Sequence, residues 1–432
     1  MTAGVRIAFA GMTHLGICSV FAAAQKGFTC IAFDLDASVI ADLRNGRFPI
    51  FEPGLDELAK ANAERVHFTS EPADLASADL CYVAPDVPTD DQGNSDLRPI
   101  RALIQLLESA LPADATMVVL SQVPPGFNRS LGRAPQRRYC QVETLIFGQA
   151  VERALKPERF MVGCADPAEA LPAAYASFLS VFGCPVLPMR YESAELAKIA
   201  INMFLVSSVT TTNLIAELCE GIGANWQEIA PALRLDRRIG PYAYLAPGLG
   251  IGGGNLQRDL ATFAEMASTK DVDADLIGVW LRNSQHRSQW ARHVLEREAP
   301  ARLPSPVLGV LGLAYKQDTA ATRNSAGLAL VRDVPPNWSV RAFDPTVPVE
   351  GSWRASTLAQ ATDEYDAARG TDVLAIMTPW SRFRGLDVGK LARTMRGDIV
   401  IDPYGMLDAS VCRAAGLRHF QLGRGSEGSA RE

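Results

Sequence analysis

The sequence predicts an α/β protein of two doubly wound sheets joined by a central helical segment with a long connecting helix. Three observations carry this expectation. A strand, glycine turn, helix and strand follow one another within the first 36 residues. Helically spaced apolar residues run without Pro or Gly from Ser193 to about Cys219. A second series of strand-like runs then follows a proline-rich stretch, "EAPARLPSPV".

The elements follow in order. "VRIAFA" stops at Gly11, "HLGICSVFAAAQKG" suits a helix, and "FTCIAFDLD" is a strand closed by acids, which together make a βαβ unit. Strand-like runs at "DLCYVAP" (79–85) and "TMVVLSQV" (116–123) alternate with helical stretches, the signature of a parallel, Rossmann-like sheet. The long middle helix, of about 25 residues or more, spans enough distance to connect domains. Beyond the linker, "VLGVLGLAYK", "SVRAFDP", "TDVLAIMT" and "DIVIDP" build a second sheet. The expected division is 1–190, 191–300 and 301–432, with no internal sequence repeat and a polar tail, "GRGSEGSARE".

A length of 432 residues exceeds one core. A net charge of −6 advertises no basic face for nucleic acid. Eight scattered cysteines lack CxxC spacing, so reduced buried thiols are expected rather than disulfides, and no metal site. The N-terminus lacks the regions of a signal peptide, and the most apolar span is broken by Lys198 and Asn202, so no membrane partner and a cytoplasmic location are expected.

The first turn reads Gly11-Met12-Thr13-His14-Leu15-Gly16. It departs from the dinucleotide fingerprint GxGxxG at Thr13, where a glycine normally lets the backbone meet the pyrophosphate. Asp34 closes the second strand where a carboxylate accepts from both ribose hydroxyls and repels an added phosphate, which favours NAD over NADP. Asp36 and His14 are expected to be a solvated acid and a surface or loop residue.

Further along, "GLGIGGGNLQRD" (248–259) places five glycines in seven residues, a backbone made for close approach. With "NGRFPIFEPGLDEL" (45–58), "VPPG" (123–126), "PERFMVG" (157–163), "AELAKIAINMFL" (194–205), "DRRIGPYAYLAPGLGIGGGNLQRD" (236–259), "LGLAYKQDTAATRNS" (311–325), "FDP" (343–345) and "TPWSRFRGLD" (378–387), the chain resembles the UDP-glucose/GDP-mannose dehydrogenase family over nearly its full length.

The resemblance implies an NAD-binding domain, a dimer-forming middle and a C-terminal domain for a UDP- or GDP-activated sugar, with the sugar between the two sheets. Members of the family oxidise a C6 alcohol to a carboxylate in two hydride transfers, through a cysteine thiohemiacetal and thioester. Cofactor contacts are then expected at Gly11, Thr13, Leu15, Gly16, Asp34, Pro85 and Gln122. Lys198 and Asn202, one turn apart on a helix, would stabilise an alkoxide, and Asp259 would partner the lysine as an acid–base group. Glu143 matches the glutamate of the family's "NPEFL" block. Substrate contacts are expected at Glu143, Lys198, Tyr242, Gly252, Gly253, Lys316 and Arg323, and at Arg238 reaching the neighbouring subunit's site.

Four positions depart from the family pattern. The cysteine after the glycine run is Asn255, which has no nucleophile to give. The threonine before "VP" is Gln122, the second glutamate of the "NPEFLxEG" block is Phe147, and the arginine of "DGR" is Tyr404. The groups for one hydride transfer remain while those for the thioester are gone. The sequence therefore points to a single two-electron oxidation to a carbonyl, at C6 or at a secondary alcohol of an activated heptose or octose. The alternatives are a complete 6-dehydrogenase working without cysteine, an NAD-retaining epimerase and a catalytically silent sensor.

Overall fold

The structure, a computed structural model, describes residues 4–90, 95–299, 305–349 and 357–425. Part of the linker (300–304) and most of the polar tail (426–432) lie outside the described residues. The chain divides into two compact units, Met1–Ile201 and Asn202–Glu432.

The first unit is an eight-stranded sheet in the order β3-β2-β1-β4-β5-β6-β7-β8. Its strands are β1 (Arg6–Ala10), β2 (Thr29–Phe33), β3 (Val66–Thr69), β4 (Leu80–Val83), β5 (Thr116–Val119), β6 (Arg138–Val142), β7 (Phe160–Cys164) and β8 (Val186–Arg190). Along β1 the side chains alternate between two cores, Ile7 and Phe9 in one and Ala8 and Ala10 in the other, all buried. Burial on both faces is why this strand reads as a continuous apolar run. Each large side chain so buried contributes about 1.5–3 kcal/mol. The expectation of a purely parallel sheet needs one correction: β7 runs antiparallel to β6. An apolar run carries no sign of its direction.

The helix Tyr191–Ile222 starts directly after β8 and has 32 residues. Its first side chain, Tyr191, is buried and donates to the Arg138 carbonyl at 2.6 Å. This helix is long and apolar enough to cross a membrane by length and composition alone. Its polar positions are nevertheless engaged by protein. Thr212 donates to the Tyr244 carbonyl at 3.1 Å, and Asn213 accepts from the Gly248 amide at 2.8 Å.

The second unit holds the helices Trp226–Leu235, Asn255–Ser268, Asp275–Ser288 and Trp290–Glu298 together with a parallel six-stranded sheet. The sheet has the order β11-β10-β9-β12-β13-β14, from β9 (Val307–Leu311), β10 (Ser339–Phe343), β11 (Leu358–Gln360), β12 (Val373–Ile376), β13 (Ile399–Ile401) and β14 (Arg418–Phe420). Trp290, Val294 and Leu295 share the core of this sheet. The start of the expected polar tail is pinned: the Gly423 amide donates to Glu220 at 2.8 Å, and the Gly423 carbonyl accepts from the Trp226 amide at 2.8 Å.

Candidate functional site

The turn after β1 has the geometry a dinucleotide requires. Gly11 has φ +97°, and a β-carbon on it would meet the Pro85 nitrogen at 2.6 Å. Gly16 lies in the first turns of the helix His14–Gln25, where a β-carbon would stand 2.0 Å from the Gly11 carbonyl oxygen. Both glycines are therefore obligatory, the first for the turn and the second for close packing of helix on strand. Thr13, at the position usually glycine, caps the helix in extended backbone and turns its hydroxyl to the Ala84 carbonyl at 2.9 Å. Its bulk is thereby tied to the end of β4.

Asp34, just past β2, accepts from the Met12 amide at 2.7 Å and from the Asp36 amide at 3.0 Å. Leu15 packs half-buried on the core, and Gln122 follows β5 half-buried. Gly11, Thr13, Leu15, Gly16, Asp34, Pro85 and Gln122 thus gather at the carboxyl ends of neighbouring strands, where doubly wound sheets bind ligands. The narrow Gly11–Gly16 cradle, the helix N-terminus above it and the Asp34 carboxylate fit NAD. Asp36 is a helix cap rather than a free loop acid, accepting from the Ser38 amide and hydroxyl at 2.8 and 2.6 Å. Those bonds hold its carboxyl below the usual range.

His14 corrects the expectation of a surface residue. It is the first residue of its helix, and Nε2 lies 2.7 Å from Oε1 of Glu52, a carboxylate with no exposed surface. Its ring stacks on Phe147 with centroids 4.4 Å apart. Glu52 also accepts from the amides of Gly148 and Ala150 at 2.9 and 3.1 Å.

Glu143 follows β6 and accepts from the Thr144 amide at 2.7 Å. Burial pushes its carboxyl above the ordinary range, against the pull of the Thr144 amide, Lys198 and Arg153. Lys198, half-buried on the helix Tyr191–Ile222, is thus close enough to act on Glu143 electrostatically. Glu195, one turn earlier, is buried and binds the loop after β5, accepting from the amides of Gly126 at 2.6 Å and Asn128 at 2.9 Å.

In the second unit Asn202 and Asp259 come together. Both are buried, and the Asn202 amide donates to the Asp259 carboxylate. Arg258 pairs with the same carboxylate at 3.4 Å, a partner that the sequence reading passed over. Asn255 is exposed as the first residue of the helix Asn255–Ser268.

The glycine run is closely approached by the protein itself. A β-carbon on Gly250 would meet the Ser284 carbonyl at 2.5 Å, and one on Gly252 the Tyr315 ring at 3.0 Å. Gly253 lies against the same ring, and its amide donates to the Arg323 carbonyl at 3.1 Å. Lys316 sits 5.7 Å from the Tyr315 ring centre. The structure therefore joins Gly252, Gly253, Lys316 and Arg323 in one cluster. Arg238 and Tyr242 stand apart from it in an exposed loop, where Arg238 pairs with Asp236 at 2.7 Å.

All eight cysteines are free thiols, seven of them buried and Cys184 half-buried. Burial pushes every one of them up, Cys18, Cys81 and Cys412 to about 12.

Comparisons with known proteins agree with this geometry. The NAD-binding, central and UDP-binding domain models of the UDP-glucose/GDP-mannose dehydrogenase family match residues 5–179, 192–284 and 309–409. The chain is 29% identical over 441 residues to the UDP-glucose 6-dehydrogenase of Rhizobium meliloti, covering 97% of this chain and all of that one. It is 27% identical over 435 residues to UDP-glucose 6-dehydrogenase TuaD of Bacillus subtilis, covering 97% and 93%. A solved UDP-glucose dehydrogenase from Pyrobaculum islandicum superposes with a TM-score of 0.83 at 25% identity, covering 98% of this chain and 99% of that one.

Proposed function

The chain belongs to the UDP-glucose/GDP-mannose dehydrogenase family of NAD-dependent nucleotide-sugar dehydrogenases, and from that premise we propose that it makes one two-electron oxidation of a sugar hydroxyl and stops at the carbonyl. The observation that carries this reading is the state of the thiols. Asn255 stands where the family cysteine is expected, and burial raises the pKa of all eight free cysteines. Thioester chemistry requires a thiolate that can reach the aldehyde, and burial disfavours that form at the cysteines of this chain.

Bound NAD supplies the hydride acceptor. The oxidation then requires the alcohol to lose its O–H proton while its carbon gives up a hydride. Lys198 stabilises the developing alkoxide as a fixed ammonium. Glu143, within electrostatic reach of Lys198, takes the alcohol proton as its ionised carboxylate, and burial raises its affinity for that proton. Asp259, bonded to Asn202 and Arg258, is the anionic end of a second polar cluster, within the second unit. Asn255 donates from its amide to a sugar oxygen.

The substrate we propose is a UDP-activated sugar, with a secondary alcohol in a heptose or octose making the stop at a ketone natural. The relatives' activity favours a second reading, complete 6-dehydrogenation without a cysteine, through oxidation of the hydrated aldehyde. NADH formed per sugar consumed, with product mass, separates them over a panel of UDP- and GDP-hexoses and heptoses. One NADH and a loss of two hydrogens supports the single oxidation. Two NADH and a carboxylate product overturns it.

We also propose a homodimer, with Arg238 reaching the partner's site. Phe204, Leu214, Leu218 and Ile222 expose an apolar stripe along the long helix, and Arg238 and Tyr242 stand in an exposed loop. A soluble, cytoplasmic enzyme would cover that stripe with a second copy.

A further inference from the structure

We propose that His14 and Glu52 form a positioning latch that ties the cofactor turn to the segment carrying Glu143, so that NAD binding orders residues 143–150. The latch is a continuous set of bonds within the first unit. His14, first residue of the helix on the cofactor turn, meets Glu52 at 2.7 Å. Glu52 receives the amides of Gly148 and Ala150 at 2.9 and 3.1 Å, which seats the start of the helix Ala150–Leu155. Arg153 of that helix donates to the Thr144 carbonyl at 2.9 Å, and the Thr144 amide donates to Glu143 at 2.7 Å. Phe147, stacked on His14, closes the circuit from the other side.

The energetics explain why this arrangement transmits. Glu52 has no exposed surface, so a lost donor cannot be replaced by water without opening the segment. A helix-terminal residue that moves when the pyrophosphate docks therefore pulls on Gly148 and Ala150 through a partner that cannot relax into solvent. Cys18, one turn after His14, is pushed up by burial and by both Glu52 and Glu143, which places the two carboxylates beside the same helix.

The inference rests on the NAD-binding turn, and its readout requires no catalytic role for Glu143. Hydrogen exchange at the amides of Gly148 and Ala150 is measured with and without NAD, alongside NAD affinity and kcat. In the native chain NAD slows exchange at both amides by about tenfold or more, the scale of one charge-assisted hydrogen bond. His14→Ala loses this slowing, and His14→Gln, which keeps a donor, restores part of it. Equal NAD-induced protection in His14→Ala, with NAD saturating for both chains, overturns the latch. If His14→Ala fails to fold, Phe147→Ala tests the coupling from the partly exposed side. Loss of half or more of the protection supports the latch, and full protection overturns it. Full activity of Glu143→Gln would remove the role of Glu143 in catalysis while leaving this result standing.

Discussion

A β-carbon added to Gly16 would stand 2.0 Å from the carbonyl oxygen of Gly11, and the second sheet repeats the relationship, with Gly327 at 2.3 Å from the oxygen of Gly312. The Gly11 amide donates to the Phe33 carbonyl at 2.9 Å, and the Gly312 amide to the Phe343 carbonyl at 2.8 Å. Each sheet then places an aspartate on the turn, Asp34 on Met12 and Asp344 on Leu313, both at 2.7 Å. The two acids differ in what remains to them. Asp344 accepts from Leu313, Ala314 and Trp380 on one oxygen and from Thr346 and Val347 on the other, so the fold consumes it. Asp34 carries only two backbone donors among the described hydrogen bonds and keeps acceptor capacity for a ribose.

This duplication yields a paired prediction. Gly16→Ala and Gly327→Ala each overpack a helix against a carbonyl, costing about 1–3 kcal/mol or more and lowering Tm by several degrees. Gly16→Ala also weakens NAD by about tenfold or more, since the turn must shift. Gly327→Ala leaves NAD affinity within about twofold and weakens the nucleotide sugar instead. Thermal melts with NAD titration decide it, and loss of NAD binding in Gly327→Ala would contradict the division of labour.

The thiols give a second prediction. A buried thiol pushed to about 12 is almost wholly protonated at neutral pH and is a poor nucleophile. Iodoacetamide should therefore leave native activity unchanged over the time in which an accessible cysteine is fully alkylated. In Asn255→Cys the new thiol occupies an exposed helix start and is alkylated at once. Mass spectrometry of the native chain reads the outcome. Rapid inactivation that the sugar substrate prevents would mean a native cysteine takes part in the reaction.

Strands β1, β2, β4, β5 and β12 were legible because each carries about four consecutive apolar residues, and the long helix because Ser193–Cys219 contains no breaker, whereas β3, β6, β7, β8, β11 and β14 were not read as strands. Gly11, Gly16 and Asp34 were legible because a βαβ turn needs those residue types at that spacing. What escaped is what depends on distant parts of the chain. His14 carries no local sign of its function, since Glu52 is 38 residues away and buries itself only in the fold. The glycine run reads as a cradle for a ligand, yet Ser284, Tyr315 and Arg323 occupy much of its surface from 30 or more residues on. The direction of β7 and the pairing of Arg258 with Asp259 are likewise set by tertiary packing, and the internal duplication is geometric, without a shared sequence to reveal it.

Glu143 sets the pH dependence. Burial raises its carboxyl in the folded state, so the folded chain binds a proton that the unfolded chain has released. The stabilisation this gives is complete below the unfolded carboxylate range and is lost as pH rises through the raised folded value. Glu143→Gln keeps the neutral shape and removes the titration. Its stability relative to the native chain should therefore increase between pH 4 and pH 7.5 in urea unfolding. The same variant cannot accept the alcohol proton, so its kcat falls while NAD affinity holds. A stability difference independent of pH would show that burial does not raise the Glu143 carboxyl.

Lys198→Ala should lower kcat by about a hundredfold to a thousandfold, as removal of a fixed donor to an oxyanion does. NAD affinity should hold, because Lys198 lies on the helix Tyr191–Ile222 and not on the cofactor turn. Lys198→Arg keeps the charge but spreads it over a planar fork, so it should recover only part of the rate. Pre-steady-state NADH formation measures the chemical step directly, and an unchanged rate in Lys198→Ala would remove the alkoxide role.

The exposed stripe on the long helix gives the last prediction. Phe204 is 80% exposed and Leu218 59%, with Leu214 and Ile222 exposed beside them. At about 100° per residue these four positions fall within one sector of roughly 80°, while Val206, about 120° from its centre, faces a core with Leu260 and Trp280. A stripe this apolar, on a helix whose Ser208, Thr212 and Asn213 are bonded to protein, calls for a partner, and a second copy presents the same stripe to it. Leu218→Glu places a charge at the centre of such an interface and should raise the dimer dissociation constant by about a hundredfold or more, some 2.7 kcal/mol. Light scattering over a concentration series measures it. Because Arg238 is proposed to act across that interface, the monomeric Leu218→Glu chain should keep NAD affinity and lose turnover. An active monomer would confine the site to one chain and leave Arg238 as a surface charge paired with Asp236.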